Sequence, residues 1–448
     1  MASEIDELYL PPPASFAVER APRKKLEEIQ HARLKALLRR AWERVPFYRR
    51  RWQAAGMAPE DVINIEDLKK LPVISKKDLE EDLLANPPFG TYQGSFPAVR
   101  VQASSGTSGH PKPVFHTQSD WNVIGNFWAR RLHAQGVRKG DIVQFVFTYS
   151  LFIAGFTATE GAMKLGALVV PTGSGAVTPS ERQVRIAKDW GTTVLAGTPS
   201  YVLHLADVAE KAGFDLRRDF KLRVTCHTAE ALSEPARRGI EERWGVVAYD
   251  NFGSVETGAP TFECVEKSGY HINEDGYIFE VLDPETFEPL PAGQEGVVVA
   301  TSLFKEAAPV IRYNMEDIST LIEAPCPCGR TFRRLGKIKG RTSEMLKVRG
   351  VPLYPTAVEE VLERFPALTR EYLLVLSRAG QQDRAAVQIE CRAGAQQDAG
   401  LKERVERELK VVTGLSIEAE LLEAGELARH LKVEDRIKAK RVWDRRNL

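Results

Sequence analysis

The 448-residue chain carries 62 basic and 61 acidic residues, so its net charge of +1 gives no general reason to expect nucleic acid or an anionic membrane as a partner. No apolar run reaches the roughly 20 residues that span a bilayer, and the N-terminal stretch MASEIDELYLPPPASF is acidic where a secretory signal is basic and then apolar. Five cysteines in so long a chain do not make a disulfide framework. We therefore expect a cytoplasmic protein of enzyme size with at least two domains.

Short apolar runs and helix-like segments alternate from residue 141 to about 250. The runs are DIVQFVFTY, GALVVP, TTVLAG, KLRVTC and GVVAYD, and the segments 178–190, 199–212 and 233–244 have apolar residues at helical spacing. Strands that are apolar nearly throughout and that alternate with helices are typical of a parallel sheet covered on both faces. The sequence therefore predicts an α/β centre.

The pattern changes after residue 270 and again after about 341. GYIFEVLD and EGVVVATSL, joined by the Pro- and Gly-rich PETFEPLPAGQ, predict an antiparallel pair in a β subdomain at about 262–335. PTAVEEVLERF and LKERVERELKVV predict helices, and EYLLVLSR, RAAVQIECR and SIEAELLE predict strands. We expect an N-terminal domain at 1–341 and a small α+β domain at 342–448, with the linker near KGRTSEMLKVRG.

The stretch SSGTSGHPK at 104–112 follows the extended run AVRVQ and precedes a helix-like segment around 119–133. Glycines let successive N–H groups converge, hydroxyls add donors and a lysine adds positive charge, which together suit a polyphosphate. The spacing is not that of a Walker loop, because Pro111 interrupts the stretch before Lys112. On its own the stretch also fits a plain surface turn.

Four potential zinc ligands flank the predicted antiparallel pair. Cys264 and His271 precede it, and Cys326 and Cys328 follow it. Three thiolates and one imidazole complete a closed tetrahedral Zn²⁺ site, which a hairpin would bring together. The C-x-C spacing is tighter than the common C-x₂-C, and unpaired buried thiols are the alternative. A closed site would brace the β subdomain without taking part in catalysis.

Five stretches in order resemble the adenylate-forming superfamily of acyl-CoA synthetases. They are SSGTSGHPK, TAEALSE at 228–234, YDNFGSVETG at 249–258, VIRYNMEDIS at 310–319 and KIKGRTSEMLKVRGVPLYPTAVEEVL at 337–362. The last stretch, with PCPCGRT at 325–331 and KAKRVWDRR at 438–446, is similar to phenylacetate-CoA ligases and related aryl-CoA ligases. The resemblance implies that an acid and ATP form an acyl-adenylate and pyrophosphate, and that CoA then displaces AMP to give a thioester.

The resemblance also implies roles for individual residues in nucleotide binding. Those assigned to the ATP phosphates are Ser104, Ser105, Gly106, Thr107, Ser108, Gly109 and Lys112. Those assigned to the rest of the nucleotide are Ala229, Glu230, Tyr249, Asp250, Phe252, Gly253, Asp317 and Arg341, with Phe252 against adenine and Asp317 accepting both ribose hydroxyls. Glu256 is expected to hold Mg²⁺. A core position for Phe252 and an interdomain salt bridge for Arg341 are the structural alternatives.

Two C-terminal residues carry the expected two-step mechanism. By the resemblance, Lys438 matches the family's lysine that meets the acyl phosphate during adenylation, and Lys440 is the alternative for this role. Ile437 stands where relatives have glycine. Ser343 matches the hinge about which the small domain would rotate between the two steps.

The resemblance to aryl-CoA ligases implies that the segment 147–167, FTYSLFIAGFTATEGAMKLGA, lines the acid pocket. Tyr149 and Phe152 would offer aromatic faces and Ala158 would leave room for a ring, with core packing as their alternative use. We expect a monocarboxylic aryl or arylacetic acid to be preferred over dicarboxylic and long-chain fatty acids.

The complete expectation is therefore an aryl-CoA ligase that uses ATP, Mg²⁺ and CoA and contains a structural Zn²⁺. Its partners would be small molecules, with no nucleic acid and no membrane, and a homodimer is left open. The alternatives are an enzyme that loads a carrier-protein thiol or stops at the adenylate, and a zinc-braced nucleotide-binding module without turnover.

Overall fold

The computed structural model describes residues 9–94, 96–104, 111–349, 351–379, 382–392, 394, 398, 400–427 and 441–446. The predicted site residues Ser105, Gly106, Thr107, Ser108, Gly109 and Lys438 lie outside the described residues, and only the backbone of Ser104 and Ser343 is described. The chain divides into two compact units, Met1–Leu232 with Arg237–Lys337 and Ser233–Ala236 with Ile338–Leu448. This division falls close to the boundary predicted after residue 341, and the domain assignment itself stays a prediction.

Helices open the first unit. They are α1 (Phe16–Glu19), α2 (Arg23–Arg44), α3 (Pro46–Ala54) and α4 (Lys76–Ala85). Helix α2 buries Leu26, Leu34, Leu37 and Leu38, which recur at helical spacing, while most of its lysines and arginines are exposed or half-buried. Among the helices of the described residues, none is both long enough and apolar enough to cross a bilayer.

A hairpin and a five-stranded parallel sheet form the centre of this unit. The hairpin joins β1 (Arg100–Ser104) to β2 (Lys112–His116), and α5 (Gln118–Ala134) follows it. The strands of the sheet are β3 (Ile142–Phe145), β4 (Leu168–Val170), β5 (Val194–Gly197), β6 (Val224–His227) and β7 (Val247–Tyr249), in the order β4-β3-β5-β6-β7. The intervening helices are α6 (Ile153–Lys164), α7 (Ser180–Asp189), α8 (Pro199–Lys211) and α9 (Glu234–Trp244). The predicted α/β centre is confirmed.

An antiparallel sheet follows the parallel one along the chain. Its strands are β8 (Thr261–Phe262), β9 (Tyr270–Ile272), β10 (Tyr277–Leu282), β11 (Glu295–Ser302), β12 (Tyr313–Ile322) and β13 (Arg334–Leu335), with the path β10-β11-β12-β13-β9-β8. Strands β10 and β11 pair from Tyr277↔Ser302 to Leu282↔Val297, which is the antiparallel pair that the sequence predicts.

The second unit is a small α+β fold, as predicted. Its elements are β14 (Gly340–Arg341), β15 (Leu346–Val348), β16 (Val351–Leu353), α10 (Pro355–Leu362), β17 (Leu368–Ala379), β18 (Gln382–Cys391), α11 (Leu401–Thr413), β19 (Ile417–Leu422) and β20 (Val442–Asp444). The main sheet has the order β19-β18-β17-β20. Apolar residues of α10, α11 and this sheet, among them Val358, Leu374, Val387 and Val405, form one buried core.

Candidate active site

Some of the predicted nucleotide and acid residues follow the carboxyl ends of the parallel strands. Tyr149 comes after β3, Ala229 after β6 and Asp250 directly after β7. The chain goes from β3 to β4 on one side and then returns to β5 on the other side of β3. Ligands of open α/β sheets bind outside the carboxyl ends of the strands, at such a reversal of strand order. The fold therefore gathers these residues at the edge where a ligand is expected.

Lys112 and Glu256 form a buried ion pair at this edge. Lys112 begins β2 and is 1% exposed, and its Nζ lies 2.7 Å from Glu256 Oε1. Tyr313 Oη accepts a hydrogen bond from Lys112 Nζ at 3.4 Å and donates one to Glu256 Oε1 at 3.3 Å. Burial by itself would raise the pKa of Glu256, but the charge and the hydrogen bond of Lys112 outweigh it and hold the pKa at about 2.

The ion pair bears on the predicted magnesium role of Glu256 and on the predicted phosphate role of Lys112. An ionised carboxylate is the ligand type that Mg²⁺ prefers, so Glu256 fits the cation in charge. Lys112 was expected to add charge at the ATP phosphates, whereas in this structure it pairs with Glu256. Its phosphate contact stays a prediction. Tyr313 was not singled out from the sequence, because a tyrosine in VIRYNMEDIS carries no local signal of a contact with residues 57 and 201 positions away.

A second lysine, Lys305, contacts the main chain of Glu256, and no sequence pattern predicted this contact. Buried Lys305 donates from Nζ to the carbonyl oxygen of Glu256 at 2.7 Å. Burial lowers the pKa of Lys305 to about 8, against the opposing charges of Asp120 and Glu256. The Asp120 carboxylate in turn accepts the N–H groups of Glu306 and Ala307. The segment after β11 therefore supports the Glu256 loop from within the protein.

Two loops carry most of the predicted nucleotide residues, and we call 228–232 and 250–257 the nucleotide loops. Thr228 Oγ1 donates to the carbonyl of Asn251 at 3.1 Å, which joins the two loops. Glu230 is exposed, and its Oε2 accepts from Ser200 N and Oγ at 3.3 and 2.6 Å near the N-terminus of α8, where negative charge is favourable. Ala229 has a positive φ of 73°.

Phe252 and Gly253 of the second loop are both at least partly accessible to solvent. Phe252 is half-buried, which weakens the alternative of a core aromatic. Gly253 is exposed, and a Cβ there would lie 2.6 Å from the carbonyl oxygen of Gly258, so no larger residue fits without movement of the backbone. The predicted contact of Phe252 with adenine is compatible with this placement and stays a prediction.

Tyr249 and Asp250 are buried where β7 ends and the second loop begins. Lys267 Nζ lies 5.5 Å from the ring centroid of Tyr249. The Asp250 carboxylate accepts from Tyr270 Oη at 2.6 Å, from the N–H of Asn251 at 2.8 Å and from the N–H of Leu232 at 3.4 Å. Burial, followed by the charge of Glu263, raises the pKa of Asp250 to about 7. These internal partners favour a supporting role for Asp250, and its direct nucleotide contact stays a prediction.

Asp317 and Arg341 belong to different units of the protein. Asp317 is buried in β12 of the first unit, and Arg341 is half-buried in β14 of the second. Their predicted contacts with ribose and phosphate stay predictions.

The predicted acid-pocket residues differ in burial. Tyr149 is half-buried and packs on α6, with its Oη 3.1 Å from Thr159 Oγ1 and its ring edge-on to Phe156 at 5.0 Å. A Cβ at Gly155 would lie 3.1 Å from this ring, so a side chain there would require the ring to shift slightly. Phe152 is also half-buried, at the N-cap of α6. Ala158 is 0% exposed, so its small side chain packs against its neighbours, and its predicted place beside a substrate ring stays a prediction.

The four zinc-ligand candidates come together in the first unit. Their ligand atoms all lie within 4.8 Å of one another, with Cys264 Sγ 3.8 Å from Cys326 Sγ and Cys328 Sγ 3.4 Å from His271 Nε2. A tetrahedral ion with Zn–S and Zn–N bonds of about 2.3 and 2.0 Å places two sulfurs about 3.8 Å apart and a sulfur and a nitrogen about 3.5 Å apart. His271 Nδ1 lies 3.2 Å from the carbonyl of Phe332, an arrangement that turns Nε2 toward the sulfurs. The four residues fit zinc.

Comparison with known proteins shows what this arrangement belongs to. The chain matches the AMP-binding enzyme family over residues 61–303 and the AMP-binding enzyme C-terminal domain over residues 350–446. It is 38% identical over 455 residues to a phenylacetate-coenzyme A ligase of Pseudomonas putida, with 100% of this chain and 99% of that protein covered. The chain belongs to the AMP-binding enzyme family. The predicted family is confirmed.

Two further comparisons agree with this membership in the AMP-binding enzyme family. A phenylacetate-coenzyme A ligase of Thermus thermophilus is 38% identical over 433 residues, which cover 92% of this chain and 96% of that protein. A crystal structure of a 2-hydroxyisobutyryl-CoA ligase, in the postadenylation state with R3-HIB-AMP, has a TM-score of 0.87 at 30% identity and covers 98% of this chain and 94% of that chain. The predicted fold class is confirmed.

The two family matches leave residues 304–349 between them. This interval holds Lys305, Tyr313 and Asp317, together with Cys326 and Cys328.

Proposed function

We propose that the protein is an ATP-dependent, AMP-forming acid–CoA ligase whose acid is a monocarboxylic aryl or arylacetic acid. A carboxylate oxygen of the acid attacks the α-phosphorus of ATP and pyrophosphate leaves; the sulfur of CoA then attacks the acyl carbon and AMP leaves. The observation that carries this proposal is the similarity over nearly the whole chain to four phenylacetate-coenzyme A ligases at 34–38% identity. The enzyme class predicted from the sequence agrees with these relatives.

The residues at the carboxyl edge of the parallel sheet suit the first step. Pyrophosphate is a highly charged leaving group, and catalysis of phosphoryl and adenylyl transfer rests on positioning and charge stabilisation. Glu256, held ionised beside Lys112, would hold Mg²⁺ at the phosphates. Lys438 is the residue proposed to meet the acyl phosphate, by its match to the family motif alone.

The choice of an aryl acid rests on the aromatic side chains after β3. Tyr149 and Phe152 are both half-buried, so part of each ring remains accessible to a substrate. Ring contacts in offset or edge-on geometry contribute about 0.5–1.5 kcal/mol beyond area burial. The one cation of α6, Lys164, lies 3.9 Å from Glu160 and is paired with it rather than available to a second substrate carboxylate. This arrangement supports a monocarboxylic acid.

Initial rates with a panel of acids test the proposal. Benzoate, phenylacetate, indoleacetate, succinate, palmitate and 2-hydroxyisobutyrate are each supplied with ATP and Mg²⁺, with and without CoA, while pyrophosphate, AMP and thioester are measured. We expect the highest kcat/KM with an aryl or arylacetic acid. A preference for succinate or palmitate would overturn the pocket assignment, and a preference for 2-hydroxyisobutyrate would assign the enzyme to small hydroxy acids.

The same assay separates the alternative enzymes. A carrier-loading enzyme would release pyrophosphate with the acid but would form no CoA thioester, and an adenylating enzyme would stop after less than one turnover. A nucleotide-binding module would release no pyrophosphate with any acid.

We also propose that Cys264, His271, Cys326 and Cys328 hold one structural Zn²⁺. The agreement of the S···S and S···N distances with a tetrahedral site supports this metal, and four protein ligands leave no position open for substrate. The homodimer and the cytoplasmic location stay predictions.

A further inference from the structure

The β8–β9 hairpin, which carries the zinc candidates Cys264 and His271, contacts the nucleotide loops at the buried residue Asp250. Cys264 and His271 belong to the segment of β8 and β9, and each has a neighbour in sequence that contacts Asp250. Glu263, next to Cys264, accepts the N–H of Asp250 at Oε2, 2.7 Å away. Tyr270, next to His271, donates its hydroxyl to Asp250 Oδ2 at 2.6 Å.

Asp250, which begins the second nucleotide loop, is hydrogen-bonded to residues of both loops. Its carboxylate accepts the N–H of Leu232 from the first loop and the N–H of Asn251 from the second. Asn251 reinforces the junction, because its carbonyl accepts from Thr228 Oγ1 and its Nδ2 donates to the carbonyl of His227 at 2.9 Å.

The junction lies in the interior, so each of its hydrogen bonds matters for geometry. Asp250, Glu263 and Tyr270 are all buried. Arg237 holds Glu263 with two hydrogen bonds of 3.0 and 2.8 Å, which fixes the acceptor for the Asp250 N–H. A buried polar group that loses its partner cannot turn to water, and the surrounding backbone shifts or the group stays unsatisfied. Displacement of the hairpin would therefore displace the loops.

We propose that Tyr270 and Glu263 are positioning residues through which the metal-bearing hairpin holds the nucleotide loops, so that Zn²⁺ and AMP bind cooperatively. The inference rests on the proposed function only in taking residues 228–232 and 250–257 as nucleotide loops. Because coupling between two sites is reciprocal, the metal strengthens AMP binding by the same factor by which AMP strengthens metal binding.

The first test is the Tyr270→Phe variant, which keeps the ring and removes only the hydroxyl that Asp250 accepts. The change leaves a buried carboxyl oxygen of Asp250 without its donor, and the lost hydrogen bond corresponds to about a factor of 10 in an equilibrium constant. We expect AMP to bind about 10-fold more weakly by titration calorimetry and KM for ATP to rise similarly, with kcat within about twofold and the zinc content unchanged.

The matched control is Tyr372→Phe, which also removes a hydroxyl with buried or half-buried partners, the carbonyl of Pro355 and Glu359 Oε1, but in the second unit. Its AMP affinity should equal that of the wild type. Asp250→Asn, of the same shape but neutral, should weaken AMP binding several-fold and serves if Tyr270→Phe does not fold. Wild-type AMP affinity in the folded Tyr270→Phe variant would overturn the proposal.

The second test measures the coupling from the metal side. Zinc is extracted from the wild-type holoenzyme with a chelator, with and without saturating AMP, and a zinc-responsive dye follows its release. We expect AMP to slow release about 10-fold in the wild type and to have little effect in Tyr270→Phe. Equal release rates with and without AMP in the wild type, or a purified protein without bound zinc, would contradict the coupling.

Failure of this inference differs from failure of the proposed function. A wild-type protein that forms acyl-CoA normally, with AMP affinity insensitive to Tyr270, refutes the coupling alone. A wild-type protein that shows the coupling but forms no thioester refutes the proposed function alone.

Discussion

Removal of Lys112 tests whether the buried pair with Glu256 sets the charge of the magnesium candidate. We expect Lys112→Met, similar in length but neutral, to leave a buried carboxylate whose pKa returns upward. The pKa of Glu256 lies at about 2 instead of 4.5, which corresponds to about 3 kcal/mol at 1.36 kcal/mol for each pH unit. Because the folded pKa lies below the unfolded one, this stabilisation is present above pH 4.5 and is lost as the pH falls toward 2.

The assay is urea unfolding of the nucleotide-free protein at pH 7. We expect Lys112→Met to lower the free energy of unfolding by about 3–5 kcal/mol, as for other broken buried pairs. The double variant Lys112→Met/Glu256→Gln should be destabilised by clearly less than the sum of its single variants, because neither charge is then left alone.

The control is Arg39→Met, which breaks the surface pair with Glu43 at 2.9 Å, where the two side chains are 80% and 50% exposed. We expect this change to leave the free energy of unfolding close to that of the wild type, because exposed ion pairs contribute little. A Lys112→Met effect as small as that of the control, or simple additivity in the double variant, would refute the reasoning.

Three more predictions concern zinc, the catalytic lysine and the hinge. Metal analysis should find about one Zn²⁺ per chain, and the Cys326→Ser/Cys328→Ser variant should lose it and unfold at a lower temperature; wild-type protein of full stability without zinc would leave these as free thiols. Lys438→Ala should slow adenylate formation about 100-fold or more but spare thioester formation from preformed acyl-adenylate, whereas a full effect of Lys440→Ala instead would relocate the role. Ser343→Pro should impair one half-reaction selectively, and wild-type rates in both would place the hinge elsewhere.

The parallel sheet was predictable because its inner strands are buried on both faces. TTVLAG is apolar nearly throughout, and the structure places the fully buried β5 within it, whereas β4 in GALVVP is an edge strand with Leu168 exposed. The helices between the strands were predictable because their apolar residues recur at helical spacing. Helices α7 and α8 begin and end within two residues of the predicted segments. Local patterns of this kind specify element type and order.

The support of the site was not predictable, because it depends on contacts between residues far apart in the sequence. Lys305 and Tyr313 contact Glu256 from 49 and 57 positions away, and each lies in a stretch whose local pattern indicates only a strand or a turn. The burial of Ala158 was not predictable either, because a small residue beside aromatic ones does not show whether its surroundings are packed or open. The metal cluster could be predicted from the sequence because cysteine and histidine are zinc ligands by residue type, whatever the fold.

A product balance with phenylacetate tests the proposed AMP-forming acid–CoA ligase activity. Purified protein is incubated with phenylacetate, ATP, Mg²⁺ and CoA, and AMP, pyrophosphate and phenylacetyl-CoA are quantified in the same samples. We expect one AMP and one pyrophosphate for each thioester formed over many turnovers, and little AMP release when CoA is left out. Release of ADP, or no pyrophosphate with phenylacetate and the other acids of the panel, would contradict it.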